Sequence, residues 1–295
     1  MNPLDSKLPR RSICALLPAL LTACSGVDLL NATVATDTYS RTEGLAYGAH
    51  ARQRLDVYRP NGVASDAPLV VFFYGGSWSS GERGDYRFVG EALASRGIVT
   101  VIADYRLSPE FRYPAFVQDS ARAVRWAFDH AAEHGAHPAR IFVMGHSAGA
   151  YNAAMVALDS RWLAVEGLNP SRLAGWIGLA GPYDFLPIVD AKTRIAFNWP
   201  ATPADSQPLS HASRASPPAL LLAPVQDSAV NSQRSTVGMA QRLKAHGVRV
   251  ESALFDSVGH LTLLAAMASV LRGRAPVLER VTAFVQSVPS ARAIG

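Results

Sequence analysis

The stretch IFVMGHSAGAYNAAMVAL, residues 141–158, begins with apolar residues typical of a buried strand and ends in an alanine-rich run typical of a helix. Ser147 stands between them, with Gly145 and Gly149 two residues away on either side. Glycine at both positions lets strand and helix approach closely, and the tight turn exposes the serine hydroxyl. The pattern therefore predicts a nucleophile. The alternative is a Ser/Gly turn that only starts a helix.

The composition of the chain is that of a globular protein with a sizeable core. Its 295 residues are 49% hydrophobic and 17% charged, which favours one large α/β domain over a disordered or repeat protein. The formal net charge is +5, and residues 1–23 contribute +2 of it, from Lys7, Arg10 and Arg11 against Asp5. A charge this small and scattered argues against nucleic acid as a partner.

The N-terminus is predicted to be an export signal. Its positive charges precede an apolar segment, residues 12–21, that is too short to span a bilayer comfortably. The next residues, LTAC at 21–24, resemble the lipobox of bacterial lipoproteins, in which a peptidase cuts before a cysteine that carries the lipid. We therefore expect residues 1–23 to be removed and Cys24 to anchor the chain in the cell envelope.

Two further residues bear on this anchor. Ser25, in place of an aspartate, favours the outer membrane over the inner one. Cys14 is the only other cysteine and lies inside the signal, so no disulfide is expected after cleavage. The alternative is an ordinary secretory signal with a chance cysteine at position 24.

The remaining chain is divided by its hydrophobic pattern. Residues 24–42 are polar and predict a tether, residues 43–288 predict the folded domain, and residues 289–295 predict a tail. In the domain, apolar runs typical of strands alternate with helical patterns of about ten or more residues. This alternation predicts a mainly parallel sheet covered on both faces, with sites at the C-terminal ends of the strands.

A nucleophilic serine needs a histidine as its base, and in a strand–turn–helix hydrolase the base comes late in the chain. His211, His246 and His260 follow Ser147. His246 ends a predicted helix, where its expected role is to face the helix dipole or solvent. His260 follows the last predicted strand in a loop that Gly259 allows to turn, so we expect His260 to be the base.

The orienting acid is expected at the end of the preceding strand. Asp227 lies there, 33 residues before His260, and would accept the imidazole N–H and stabilise the imidazolium. Asp256 is the alternative, although it would have to fold back along its own loop.

The segment YGGSW, residues 74–78, ends the first predicted buried strand with two glycines. Its amides can point into a cleft without side chains in the way, so with the amide of Ala148 the segment is expected to form an oxyanion hole. A phosphate-binding loop is excluded, because Glu82 and Arg83 stand where lysine and serine or threonine are required.

Five motifs in this order resemble the α/β-hydrolase esterases of the hormone-sensitive-lipase and feruloyl-esterase-like type, including arylformamidase relatives. They are YGGSW, DYRLSPEFRYPAFVQDSARAVRWAFDHAAEHG, ARIFVMGHSAGAY, PVQDSAV and VGH. The resemblance covers about residues 43–288 and implies an α/β-hydrolase fold. It implies a triad of Ser147, Asp227 and His260, and oxyanion amides of Gly76, Ser77 and Ala148.

The resemblance also implies that four residues brace the loops beneath the site: Asp104, Tyr105, Arg106 and Pro114. The chain departs from the family pattern at Tyr74, where a histidine is common, and at the residues before the acid, where Ala223 and Pro224 replace the usual His-Gly. These departures leave substrate preference open. No large cap is expected, because only residues 185–215 are available for one, and they would form at most a small flap.

Other side chains have both a functional and a structural interpretation. His130, His134 and His137 have a helical spacing that could hold a metal, but no carboxylate or cysteine completes the set, so a solvated helix end is favoured and no metal is expected. Trp78 and Tyr183 flank the predicted cleft and are expected either to line the substrate pocket or to pack in the core.

Together these patterns predict a serine carboxylesterase that cleaves short-chain or small aromatic esters and needs no cofactor. An arylformamidase or related amide hydrolase is an alternative that the same site would serve. A catalytically silent surface-binding protein on a hydrolase scaffold is a second alternative, because fold alone does not give function. The sequence leaves the acyl group, the alcohol and the oligomeric state open.

Overall fold

The structure, a computed structural model, describes residues 26–62 and 65–289. The predicted signal, Cys24 and residues 290–295 of the predicted tail lie outside the described residues. The strands of the described part are β1 Tyr39–Ala46, β2 Arg54–Pro60, β3 Ala67–Phe73, β4 Val99–Ala103, β5 Ala136–His146, β6 Gly175–Leu179, β7 Ala219–Pro224 and β8 Val250–Phe255.

These strands form one eight-stranded sheet in the order β1-β2-β4-β3-β5-β6-β7-β8. β1 and β2 pair antiparallel, and β2 pairs antiparallel with β4. The remaining neighbours in this order, from β4 and β3 to β7 and β8, pair parallel. The prediction of a mainly parallel sheet is confirmed, and the carboxyl ends of β5, β7 and β8 therefore lie at one edge of the sheet.

The helices of the described part flank this sheet. α2 packs against α9, whereas α3 packs against α4 and α5. Within residues 26–62 and 65–289, no helix combines the length and apolar character needed to cross a bilayer. The helices are α1 Gly26–Ala32, α2 Arg87–Ala94, α3 Ala115–His130, α4 Ala148–Leu158, α5 Ser160–Val165, α6 Ala191–Ala196, α7 Gly238–Ala245, α8 His260–Ala265 and α9 Val277–Ser287.

The hydrophobic core is built on the middle of the sheet. Every residue of β3, β4, β6 and β7 is buried, as expected for parallel strands that are covered on both faces. The edge strands β1 and β8 contain only exposed and half-buried residues. The close-packed centre holds the strand ends in fixed relative positions, which a site built from several loops requires.

The predicted tether over residues 24–42 is largely folded, which corrects the expectation from sequence. α1 follows directly after the undescribed segment, and β1 begins within the predicted tether. Polar composition indicated a solvated segment because a helix of seven residues is too short to show a clear hydrophobic period.

Asn31 holds α1 against the body of the protein. Its side chain is buried, and its Nδ2 donates to the carbonyl oxygens of Gly84, at 3.2 Å, and Asp85, at 2.9 Å. Its Oδ1 accepts a hydrogen bond of 3.2 Å from the amide N–H of Phe88. One side chain therefore satisfies three backbone groups, one in the first turn of α2 and two in the turn directly before it.

We expect Asn31→Ala to lower the free energy of unfolding by about 1–3 kcal/mol, because it leaves the buried amide of Phe88 and the half-buried carbonyls of Gly84 and Asp85 without this partner. Leu29→Ala is the matched control on the same helix, since Leu29 is 66% exposed and its truncation should change stability by no more than about 0.5 kcal/mol. Urea unfolding of both variants measures the difference. Equal destabilisation by the two changes would show that Asn31 does not dock the helix.

Candidate active site

Ser147 lies on a strained turn between β5 and α4. Its φ of 54° and ψ of −123° fall in a region that residues with side chains rarely adopt. A Cβ on Gly145 would collide with the carbonyl oxygen of Gly149, and a Cβ on Gly149 would collide with that of Phe73. Both glycines are therefore required sterically, and the crossing of strand and helix holds Ser147 at the carboxyl edge of the sheet.

The structure brings the three predicted catalytic residues together. The Ser147 hydroxyl is 2.9 Å from Nε2 of His260, and Nδ1 of His260 is 2.8 Å from Oδ2 of Asp227. His260 is the first residue of α8, and Asp227 follows β7 by three residues. With Nδ1–H donating to the carboxylate, Nε2 is left as the acceptor for the serine proton.

Asp227 is held as an anion. Its side chain is 0% exposed, and Oδ1 accepts hydrogen bonds from the amides of Ala229, at 2.8 Å, and Val230, at 2.9 Å. Burial would raise the pKa of Asp227, but the hydrogen bonds from His260 and these two amides outweigh burial and keep the pKa below its usual value. The carboxylate can therefore orient and stabilise a protonated His260.

The alternatives for the acid and the base lie outside the hydrogen-bonded triad. Asp256 is exposed at the end of β8, and His246 is exposed after α7. His211 has its Nε2 2.6 Å from the carbonyl oxygen of Asp205.

The amides predicted to form the oxyanion hole have the required freedom. Within the described part of the chain, the backbone N–H groups of Gly76, Ser77 and Ala148 have no hydrogen-bond acceptor. Ser77 and Ala148 line a cavity together with Ser147. Ser77 and Trp78 have φ values of 51° and 55°, which residues with side chains rarely adopt, and Gly76 has a φ of 119°. Strain of this kind persists only where the surrounding structure over-determines it.

Tyr74, which replaces the usual histidine, anchors this loop from below. Its hydroxyl donates to Oδ1 of Asp104 at 2.8 Å and accepts from Nη2 of Arg52 at 2.7 Å. Burial, together with the adjacent Asp104, raises the pKa of Tyr74 well above its usual value, so its hydroxyl remains a donor. The hydroxyl of Tyr105 donates to the carbonyl oxygen of Tyr74 at 2.8 Å.

Other contacts agree with the loop-bracing roles that the resemblance implies. Arg106 donates from Nε and Nη2 to both carboxylate oxygens of the buried Asp119 on α3. Oδ1 of Asp104 also accepts a hydrogen bond of 2.7 Å from the amide N–H of Arg83. Pro114 directly precedes α3. These residues fix the loop after β4 beneath the loop of residues 74–78.

The cavity beside Ser147 is small and mainly apolar. Its volume is about 120 Å³, with Asp190 and Thr193 at its polar side. The apolar wall is formed by Trp78, Pro182, Phe185, Ile188, Val189, Ala229 and Val230.

Trp78 is placed in this wall, as one of its two interpretations proposed. The indole N–H donates to Oδ1 of Asn152 on α4 at 3.0 Å. The ring packs against Phe185 and Phe197, with centroid distances of 6.2 and 4.8 Å. Asn152 and Phe185 were not predicted from the sequence, because neither belongs to a recognisable motif.

The pocket role expected of Tyr183 is wrong. The side chain is fully buried and packs edge-on against Trp176 at a centroid distance of 5.7 Å. A Cβ on Gly178 would collide with its hydroxyl, so the ring points back beneath β6. The neighbouring Pro182 and Phe185 line the cavity instead.

The first part of residues 185–215, from Phe185 to Thr193, lines the cavity. Arg234 donates to both carboxylate oxygens of Asp184, at 2.8 and 2.9 Å. Oε1 of Gln207 accepts from the amide N–H of Phe185 at 2.8 Å, and Arg194 donates to the carbonyl oxygen of Ile188 at 2.8 Å. The last two bonds connect the segment internally, and the first joins Asp184, directly before it, to Arg234.

His146 is a second histidine at the site, and it was not predicted from the sequence. It ends β5, is 3% exposed, and its Nε2 lies 2.9 Å from the carbonyl oxygen of His260. Burial, then the nearby His260, lowers the pKa of His146 to about 3. Its position before Ser147, at the end of a buried strand, was the available signal.

The described residues contain no cluster of histidine, cysteine, aspartate or glutamate that could hold a metal ion. His130, His134 and His137 do not share one helix, because α3 ends at His130 and β5 begins at Ala136. His130 instead stacks on Trp126, with ring centroids 4.5 Å apart.

Comparisons with known proteins identify the family and the fold of the chain. The BD-FAE family matches residues 55–243, more than half of the chain. Carboxylesterase NlhH of Mycobacterium tuberculosis is 43% identical over 106 residues, which are 36% of this chain and 33% of NlhH. Probable isoprenylcysteine alpha-carbonyl methylesterase ICMEL1 of Arabidopsis thaliana is 33% identical over 151 residues, which are 50% of this chain and 32% of that protein.

The chain thus spans about a third of the length of these curated relatives. The solved structure of an inhibited esterase B from Lactobacillus rhamnosis superposes with a TM-score of 0.74 and 18% identity, covering 89% of this chain and 91% of that one. At this identity the likeness shows the fold. The family match, the fold and the motif order agree with the predicted resemblance, and the chain is an α/β-hydrolase that belongs to the BD-FAE family.

Proposed function

We propose that this chain is a serine hydrolase that cleaves carboxylic esters through an acyl-enzyme. The observation that carries the proposal is the continuous hydrogen-bond path from Ser147 through His260 to Asp227, beside a cavity that Ser77 and Ala148 also line. The printed names of the relatives, a carboxylesterase and a probable methylesterase, support the same reaction.

The first half of the reaction acylates the enzyme. Ser147 Oγ attacks the ester carbonyl carbon while its proton passes to Nε2 of His260. The carbonyl oxygen becomes an oxyanion that the free amides of the loop and of Ala148 would stabilise. The intermediate then collapses, and the leaving alcohol takes the proton from Nε2.

The second half releases the acid. Water loses a proton to Nε2 of His260 and attacks the acyl carbon, and a second oxyanion forms in the same place. Its collapse returns the proton to Ser147 Oγ and frees the carboxylic acid. Asp227 stabilises the imidazolium in both halves and does not itself take a proton.

Small acyl groups fit the site best. The cavity of about 120 Å³ is well below the roughly 300–1,000 Å³ of pockets that hold drug-sized ligands. Phe185 and Ile188 contribute bulky apolar side chains to its lining. We therefore expect short-chain or small aromatic esters. A formamide offers the same carbonyl with an amine as leaving group, so N-formylkynurenine belongs in the substrate panel.

The chain is further proposed to be a lipoprotein of the cell envelope, anchored through Cys24. The LTAC sequence supports this proposal. Only Ser25 separates Cys24 from α1, and two residues span at most about 7 Å. Because Asn31 docks α1 on the body, such an anchor would hold the catalytic domain directly at the bilayer surface, without a long tether.

Ser147→Ala and His260→Ala should each lower kcat for p-nitrophenyl butyrate by about 10⁶-fold, because Ser147 forms the bond to the acyl group and His260 transfers the proton. Ser147→Ala should also abolish labelling by a fluorophosphonate. Asp227→Asn should cost about 10⁴-fold, through loss of the charge and of the correct tautomer. Steady-state kinetics and mass spectrometry of labelled peptides measure these effects.

Asp256→Asn is the control for the acid. Because Asp256 is exposed, this substitution should leave kcat unchanged. A costly Asp256→Asn with a mild Asp227→Asn would place the acid on the loop of His260. Unlabelled wild-type protein without hydrolysis of any ester or formamide would identify a silent binding protein.

Selectivity for the length of the acyl chain tests whether the cavity holds the acyl group. Wild-type kcat/KM should fall from p-nitrophenyl acetate and butyrate to octanoate, and Phe185→Ala should raise the octanoate-to-acetate ratio by about 10-fold to 100-fold by lengthening the pocket. Phe128→Ala is the matched control, because Phe128 is a half-buried phenylalanine that contacts Arg172 outside the cavity. Faster wild-type turnover of octanoate than of acetate would contradict the assignment of the cavity.

Cys24→Ala should release the protein from the membrane fraction or stall its processing, because no thiol is left to carry lipid. Hydrolysis of p-nitrophenyl butyrate per molecule should not change. Cys14→Ala is the matched control and should leave fractionation as in the wild type. If processed Cys24→Ala protein stays with the membranes, lipidation is not the anchor.

A further inference from the structure

At the proposed site, a hydrogen bond joins the ring of His146 to the main chain of His260. His146 precedes Ser147 at the end of β5, and its Nε2 lies 2.9 Å from the carbonyl oxygen of His260. The ring centroids are 5.0 Å apart. Because a carbonyl oxygen only accepts, Nε2 of His146 must carry the proton.

We infer that His146 is a positioning residue, which holds the main chain of His260 so that its imidazole spans Ser147 and Asp227. The inference deepens the proposed ester hydrolysis and rests on it. The imidazole must keep contacts of 2.9 and 2.8 Å with these partners at once. His260 starts α8 directly after the β8 loop, and the bond ties this loop to the strand that carries the nucleophile.

The surroundings of His146 suit a permanent neutral donor. The side chain is buried, and the groups that act on its charge are His260 and Asp227. A pKa of about 3 keeps the ring neutral over the range in which a serine esterase works. A neutral donor adds no positive charge beside His260 at the moment when His260 takes the serine proton.

The matched test compares His146→Gln with His146→Met. The two side chains have similar length and volume, but only glutamine offers an N–H near the position of Nε2. We expect His146→Met to lower kcat for p-nitrophenyl butyrate by about 100-fold, the scale of a misplacement of about 1 Å, with little change in KM. We expect His146→Gln to recover most of this loss.

A second measurement does not depend on the ester. Phosphonylation of Ser147 by a fluorophosphonate needs His260 to take the serine proton, so its rate should fall in His146→Met and recover in His146→Gln. If the wild type is labelled but hydrolyses no ester, the proposed substrate class fails while the labelling rates still decide the role of His146.

The pH profile separates positioning from proton transfer. Because His146 does not titrate near neutrality, His146→Gln should keep the acid limb of the kcat/KM profile at the wild-type midpoint. A lost or displaced limb would show that His146 itself exchanges a proton, and would overturn the inference.

Equal kcat values and equal labelling rates in the glutamine and methionine variants would also overturn the inference, since only the glutamine side chain carries an N–H donor. Circular dichroism and the fraction of labelled protein correct the rates for folding. If His146→Met does not fold, His146→Asn takes its place, because its shorter amide cannot reach the carbonyl oxygen of His260, and the same loss relative to His146→Gln is expected.

Discussion

The rest of the site depends on one steric constraint, the close crossing of α4 over the ends of β3 and β5. No side chain fits at Gly145 or Gly149, because each would meet backbone across the crossing. The turn between them holds Ser147 at positive φ. The same approach brings the loop after β3 beside the serine, since a Cβ on Gly75 would lie 2.9 Å from that of Ser147. Nucleophile and oxyanion amides thus share one structural cause.

Charged groups beneath the loop after β3 complete this arrangement. Asp56 and Asp104 are buried carboxylates that share the guanidinium of Arg83, and Tyr74 joins the network through Asp104. Burying such charges costs desolvation, so ion pairs of this kind add little net stability, whereas removal of one partner is costly. We conclude that the network mainly fixes the position of the loop, because strained residues persist only where their surroundings over-determine them.

The sequence predicted those parts of the structure that short-range chemistry or the order of motifs along the chain decides. Strand–helix alternation indicated the parallel sheet, and the glycine spacing indicated the turn at Ser147. Motif order placed Asp227 and His260, which the structure brings into contact. The errors have a common cause: the docking of α1 and the inward direction of Tyr183 both depend on which distant surface a side chain meets. Neither local composition nor position in a motif contains that information.

The two histidines at the site show how far environment, and not residue type, decides chemistry. His260 is 10% exposed and faces the ionised Asp227, so a proton that it receives from Ser147 is balanced by a neighbouring charge. Among residues 26–62 and 65–289, no carboxylate is bonded to the ring of His146. Its Nε2 instead meets a carbonyl oxygen, and its buried setting favours the neutral form. Adjacent imidazoles can therefore do different work, one moving a proton and the other holding the first in place, because one has an anion as its partner and the other a dipole.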